Sequence, residues 1–230
     1  MRHALLLLLA PLLASGCAQS RLALSEADQA RARRELTGES RFLRVACNVG
    51  PLFSDTDKAL LIDRPANEVD LVEEPDGRPI RPTFERVLAP GTPVRVRDIE
   101  FPTPLVMAQR VLVTPRYHPW VYLEVEGDRR PYVIVLPQEV KSFEDVRAEL
   151  ERYFAADDPR PALSALAPDL RELVLRKEVA PGMSARAVEM AWGLPDRKVI
   201  DRPQATEDWY WNGGKRHVIL REDRLDQIDR

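Results

Sequence analysis

Side chains able to do covalent or acid–base chemistry are few in this chain. Its 230 residues hold two cysteines, Cys17 and Cys47, and three histidines. His3 falls in an apolar leader, which leaves His118 in a proline-flanked loop beside Tyr117 and His217 at the start of a strand-like run after Lys215-Arg216. Both read as surface residues rather than bases. Carboxylates occur as the adjacent pairs Glu73-Glu74 and Asp157-Asp158. Sequence neighbours on a strand or helix point apart, so this spacing does not assemble a general acid and base. The chain has no Gly-x-Ser-x-Gly elbow, no phosphate-cradling glycine loop and no zinc-ligand spacing. These residues call for no catalysis, no metal and no cofactor, so the expectation is a binding protein. Cys47, in Val45-Ala46-Cys47, reads as an inert core thiol.

Cys17 differs because of what precedes it. Arg2 and His3 lead into the apolar stretch Ala4–Leu13, whose ten residues are a secretory h-region. Spanning a ~30 Å hydrocarbon core as a helix takes about 20 residues, so the stretch is too short for an anchor. Leu13-Ala14-Ser15-Gly16-Cys17 resembles the lipobox of bacterial lipoproteins, with Ala14 where leucine is commoner. The resemblance implies cleavage after Gly16 and acylation of Cys17. An ordinary leader with a cysteine beside its cut is the alternative. Ala18 stands where an aspartate would retain an enterobacterial lipoprotein in the inner membrane, so the resemblance implies the outer membrane, with the body facing the periplasm. Several acyl chains anchor stably at about 0.8 kcal/mol per buried CH₂. Later apolar runs such as Tyr132–Leu136 are only strand-sized. With Cys17 acylated, Cys47 has no partner for an intrachain disulfide.

The elements that would carry a binding surface follow from composition and period. Apolar residues are 44% and charged residues 31%, enough for a packed core. A formal net charge of −3 gives nucleic acid no electrostatic footprint. Twenty prolines are about twice the usual share and signal short connections and edge strands. Ser25 and Asp28 start a helix over 26–36, whose Arg31, Arg33 and Arg34 face lipid head groups or simply solvent. From Arg41 the period becomes two, and 41–47, 68–72, 94–101, 105–113, 120–126 and 132–136 read as strands. Ser142 with Asp145 caps a helix to about Phe154, and Ala155–Pro168 carries three prolines and reads as a linker.

Leu88-Ala89-Pro90-Gly91-Thr92-Pro93 followed by Val94, Val96 and Ile99 resembles the opening of bacterial Src-homology-3-like barrels. That resemblance implies a small barrel over 41–137 and a peptide or peptidoglycan ligand. A peptide groove needs exposed aromatics, for which Tyr117, Trp120 and Tyr122 are candidates. Trp120 and Tyr122 also share a strand face and read equally as core.

The carboxy-terminal part orders as helix, helix and three strands. Helices are expected at 169–178 and from Ser184 to Gly193, with strands at 207–211, 216–221 and 225–228. Gly182-Met183-Ser184, Val188, Gly193-Leu194-Pro195-Asp196, Trp209-Tyr210 and the closing hairpin together resemble the SmpA/OmlA (BamE-like) domain. The unit also resembles the repeat of secreted β-lactamase inhibitors. The first family comprises small outer-membrane lipoproteins that assist β-barrel assembly. Alternation puts Trp209 and Trp211 under the helices and Tyr210 on the open face. Tyr210 with Lys215 and Arg216 is then a candidate partner patch, unless Tyr210 contacts the preceding barrel.

The expected protein is therefore α+β. A leader (1–16), a lipid-anchored tether and helix (17–40), a mostly antiparallel β-barrel (41–137), a helix and linker (138–167) and a two-helix, three-stranded domain (168–230) follow in order. Its expected role is a binding or assembly module at the periplasmic face of the outer membrane, held through Cys17 and partnered by another envelope protein. An inhibitor or regulator of an envelope enzyme, or a cell-wall hydrolase with an unrecognised site, is the alternative.

Overall fold

The computed structural model describes residues 22–229, so the leader and Cys17 lie outside the described residues. Helix α1 (Glu26–Leu36) starts where the Ser25 side chain accepts from the Asp28 amide. Strands β1 (Ser40–Leu43), β2 (Cys47–Leu52), β3 (Asp55–Ile62), β4 (Arg86–Leu88) and β5 (Pro93–Glu100) follow. Then come α2 (Pro104–Gln109), β6 (Trp120–Val125), β7 (Tyr132–Val135), α3 (Phe143–Tyr153) and the short β8 (Phe154–Ala155). These eight strands form one mixed sheet in the order β4-β2-β3-β7-β6-β5-β1-β8, antiparallel except for β3 beside β7.

Alternation along the strands gives this sheet two buried faces. Ala59, Leu61, Val121, Leu123, Tyr132 and Ile134 join the core under α1 and α3. Leu60, Ile62, Trp120 and Val133 form a second cluster with Val69, and Leu71 and Phe84 pack against it. Val94, Val96 and Ile99 all enter the first core, because a bulge between Val96 and Asp98 resets the period. Gly91 turns at φ +86°, and a Cβ there would sit 2.2 Å from the Arg160 Cγ.

The expected barrel is not formed. Strands β4 and β8 end the sheet without pairing to each other, and one face is taken up by helices. Two expected strands are also corrected. Residues 66–68 make a 3-10 turn after Pro65, and 69–72 contain no strand. Residues 104–109 are helical, since Thr103 Oγ1 accepts from the Val106 amide and Pro104 occupies the first turn. The expected linker holds β8 and the short helix α4 (Arg160–Ser164).

Helices α5 (Pro168–Leu175) and α6 (Ala185–Trp192) cover one face of an antiparallel sheet in the order β12-β11-β10-β9. Its strands are β9 (Arg197–Asp201), β10 (Thr206–Trp211), β11 (Arg216–Arg221) and β12 (Arg224–Asp229). Ser184 caps α6, which ends at Gly193 with φ 82°. The sheet has four strands rather than three, because Arg197–Asp201 pairs with β10. The fold is α+β. Among the described residues no helix is long and apolar enough to cross a membrane.

Candidate functional site

Three surfaces bring polar or exposed apolar side chains together. The first is the junction between the sheets, where a cavity of about 180 Å³ is lined by Asp63, Glu68, Arg152, Trp192, Asp196 and Arg216. The Arg152 guanidinium donates to the Leu194 carbonyl at 3.2 Å and to Asp196 at 3.1 Å. The Ala46 amide donates to the Met190 carbonyl at 2.8 Å. Lys177 donates to the carbonyls of Ala46 and Ala191. Arg216 Nε stands 2.8 Å from Glu68 Oε1, and its guanidinium lies 4.9 Å from the Trp192 ring and 5.7 Å from the Trp211 ring. The Nε hydrogen does not lie along that short vector, so the contact is an ion pair rather than an aligned hydrogen bond.

These charges cross-link two parts of the fold. Tyr153 donates its hydroxyl to Asp63 at 3.3 Å, and burial holds that phenol well above its usual pKa, so it remains a donor. Burial pushes the Cys47 thiol up to about 12, which leaves it without a nucleophilic thiolate at neutral pH. Arg216 thus belongs to the junction and not to a surface patch. It stands opposite Trp211 in the ladder, on the helix-covered face away from Tyr210.

The second surface is the open face of the carboxy-terminal sheet. Tyr210 lies there, stacked flat on His217 with 4.4 Å between centroids and 4° between planes. The Arg197 guanidinium sits 4.1 Å over the Tyr210 ring, and His217 Nε2 is 2.8 Å from Asp208 Oδ1. Strand β9 ends the sheet with no further strand paired to it among the described residues, and it exposes Val199 (43%) and Ile200 (58%). Lys215 is exposed in the turn between β10 and β11.

The third surface is the segment after β5. Leu105, Val111, Leu112, Val113 and Tyr117 are five of the eight exposed large hydrophobics among the described residues, so exposed apolar area is concentrated here. Arg110 fastens the segment to the sheet. It is buried, pairs with Glu100 at 2.6 Å, donates to the carbonyls of Arg116 and His118, and lies 3.7 Å over the Trp120 ring. Trp120 is 1% exposed and donates to the Pro115 carbonyl, which corrects its candidacy as a contact residue. Tyr117 remains at the surface, beside a groove of about 450 Å³ that also contains Leu71, Val72 and Leu112.

His118 closes this segment. Its Nδ1 lies 2.8 Å from the Leu136 carbonyl and must carry the hydrogen. Burial lowers its pKa below the usual 6.5, reinforced by Arg110 and opposed by the Leu136 carbonyl and Glu139. The unfolded chain therefore binds this proton at a higher pH than the folded chain does. Stability gained from the neutral imidazole is complete above pH 6.5 and declines as pH falls below it. Urea melts between pH 7.5 and 5.5 should show this loss, and His118→Gln should flatten the slope.

No protein-family model, curated protein or solved structure matches this chain.

Proposed function

We propose that the chain is a lipid-anchored, periplasm-facing binding or assembly module of the bacterial outer membrane, with another envelope protein as its partner. The observation that carries the binding role is the carboxy-terminal sheet. Its helices cover one face only, leaving the Tyr210–His217 stack and the unpaired β9 edge with Val199 and Ile200 open. An unpaired edge beside an aromatic platform suits a partner that adds a strand and rests a side chain on the ring. The lipobox at Leu13–Cys17 and the SmpA/OmlA resemblance support the envelope setting, and the latter favours assistance to outer-membrane protein assembly. The ion pairs of the junction support a structural rather than a catalytic use of its charges.

Affinity capture of the acylated chain from detergent-dissolved membranes tests this reading. Tyr210→Ala combined with Ile200→Asp should lower recovery of the partner roughly tenfold or more, while the melting temperature falls by only about 2–4 °C. A subunit of the barrel-assembly machinery among the lost proteins supports the assembly role. Loss of an envelope enzyme instead would make the chain its inhibitor or regulator. Undiminished capture by a folded variant overturns this surface as the binding site.

A further inference from the structure

We propose that the segment from Leu105 to Tyr117 is a membrane-contact site that dips its apolar side chains into the lipid interface beside the anchor. The inference rests on the reading of Cys17 as acylated.

The first support is where the chain leaves the body. The Gly38 amide donates to the Val96 carbonyl, and Arg33 Nε donates to the Ile99 carbonyl at 3.0 Å. Passing back along α1 therefore advances along β5. Glu26 lies about 10 Å beyond Arg33 at 1.5 Å per helical residue. That carries the start of α1 past the end of β5 at Glu100, the end from which residues 101–103 lead into α2, and Thr103 caps α2. The start of α1 and the start of the exposed segment thus share one end of the long sheet. Only five residue steps join Cys17 to Leu22, which packs on the main core. Five steps reach at most ~18 Å, so an acylated Cys17 keeps Leu22, and the start of α1 after it, near the bilayer surface.

The second support is the chemistry of the segment. Leu105 is 69% and Leu112 77% exposed, far beyond what the rest of the surface shows for leucine. From Phe101 to Leu123 the sequence contains no acidic residue, in a chain whose acids outnumber its bases. Its charges there are Arg110 and Arg116, and Tyr117 stands at the rim as an amphipathic ring suited to the head-group layer. Asp70 and Glu73 line the groove across from Tyr117, and Asp70 is held by Arg81. Exposed leucines and an aromatic rim on a segment that carries no carboxylate of its own fit an anionic lipid surface, where apolar groups sink roughly 5–10 Å.

The test places an environment-sensitive fluorophore at Leu112→Cys in the acylated full chain. Cys17 is blocked by its lipid and Cys47 is buried, so the introduced thiol takes the label. The labelled protein is reconstituted into vesicles of phosphatidylethanolamine and phosphatidylglycerol carrying acyl-chain nitroxides, beside a control at Asp223→Cys in the exposed β11–β12 turn. Emission from position 112 should move to shorter wavelength and be quenched roughly threefold more strongly than emission from position 223. Equal, water-like emission from both sites on vesicles overturns the inference while leaving the anchor intact. Burial of the label in native membranes but not in pure lipid assigns the segment to a protein partner and also overturns it. Mass analysis of Cys17 separates the two readings, since an unmodified Cys17 overturns the lipoprotein assignment and the inference with it.

Discussion

Arg216→Ala will lower stability by about 3–5 kcal/mol, the cost of leaving one member of a buried ion pair alone. The Glu68 side chain is 6% exposed and that of Arg216 15%, so water does little to replace the lost partner. Glu68 Oε2 already lacks a hydrogen bond, which makes Arg216 the principal compensation for that carboxylate. The guanidinium also packs beside the touching rings of Trp192 and Trp211, so its removal leaves a void beside both. Paired replacement should behave differently. Glu68→Leu with Arg216→Met removes both charges and keeps much of the volume, and such exchanges are often neutral or stabilising. Urea unfolding of the two single variants and the double variant measures the coupling. A double variant as unstable as the sum of the singles would show that the aromatic packing of Arg216, rather than its charge pairing, holds the junction. A single Arg216→Ala variant with wild-type stability would remove the residue from the junction altogether.

Arg216 also shows where reading the sequence stops. Helix starts are local events, so Ser25, Ser142 and Ser184 announce α1, α3 and α6 through a side chain and an amide three residues on. The spacing of Val94 and Val96 likewise identifies a buried strand face, which Ile99 joins only through the bulge between Val96 and Asp98. Strand β3 escapes a period-two search because Ala59–Ile62 is apolar throughout and packs on both sides of the sheet. Strand β9 escapes because all five of its residues are exposed and only pairing with β10 defines it. Residues 105–113 carry strand-like valines, but Thr103 and Pro104 decide for a helix at its start. The open sheet depends on β3 lying parallel to β7, a choice made by distant segments. Arg216 follows the same logic. Its sequence neighbours Lys215 and His217 suggest a basic patch, whereas its partner Glu68 comes from the distant 3-10 turn after β3.

Alternation along β10, in contrast, is local enough to predict, and it sets the second large effect. Trp211→Ala should cost about 3–5 kcal/mol, the usual range for emptying a buried tryptophan site. The ring is 2% exposed, stands edge-on to Trp192 at 5.4 Å and 90°, and lies 6.1 Å from Trp209. Its Nε1 donates to the Gly193 carbonyl at 3.2 Å, so truncation also strips a partner from the end of α6. Small neighbours do not refill the space, because the flanking residues Trp192, Trp209 and Arg216 are large and held by their own contacts. Trp211→Phe keeps an aromatic ring in the site but gives up the second ring of the indole and its N–H, so it should recover about half of the loss. Tyr210→Ala, one residue away on the open face, loses its stacking on His217 and the cover of Arg197 but opens no cavity. Its cost should be about 0.5–1 kcal/mol. Thermal melts of these three variants establish the order. A Trp211→Ala protein as stable as Tyr210→Ala would contradict the burial of Trp211. A Tyr210→Ala protein that unfolds with it would make Tyr210 a packing residue and withdraw the open face as a docking platform.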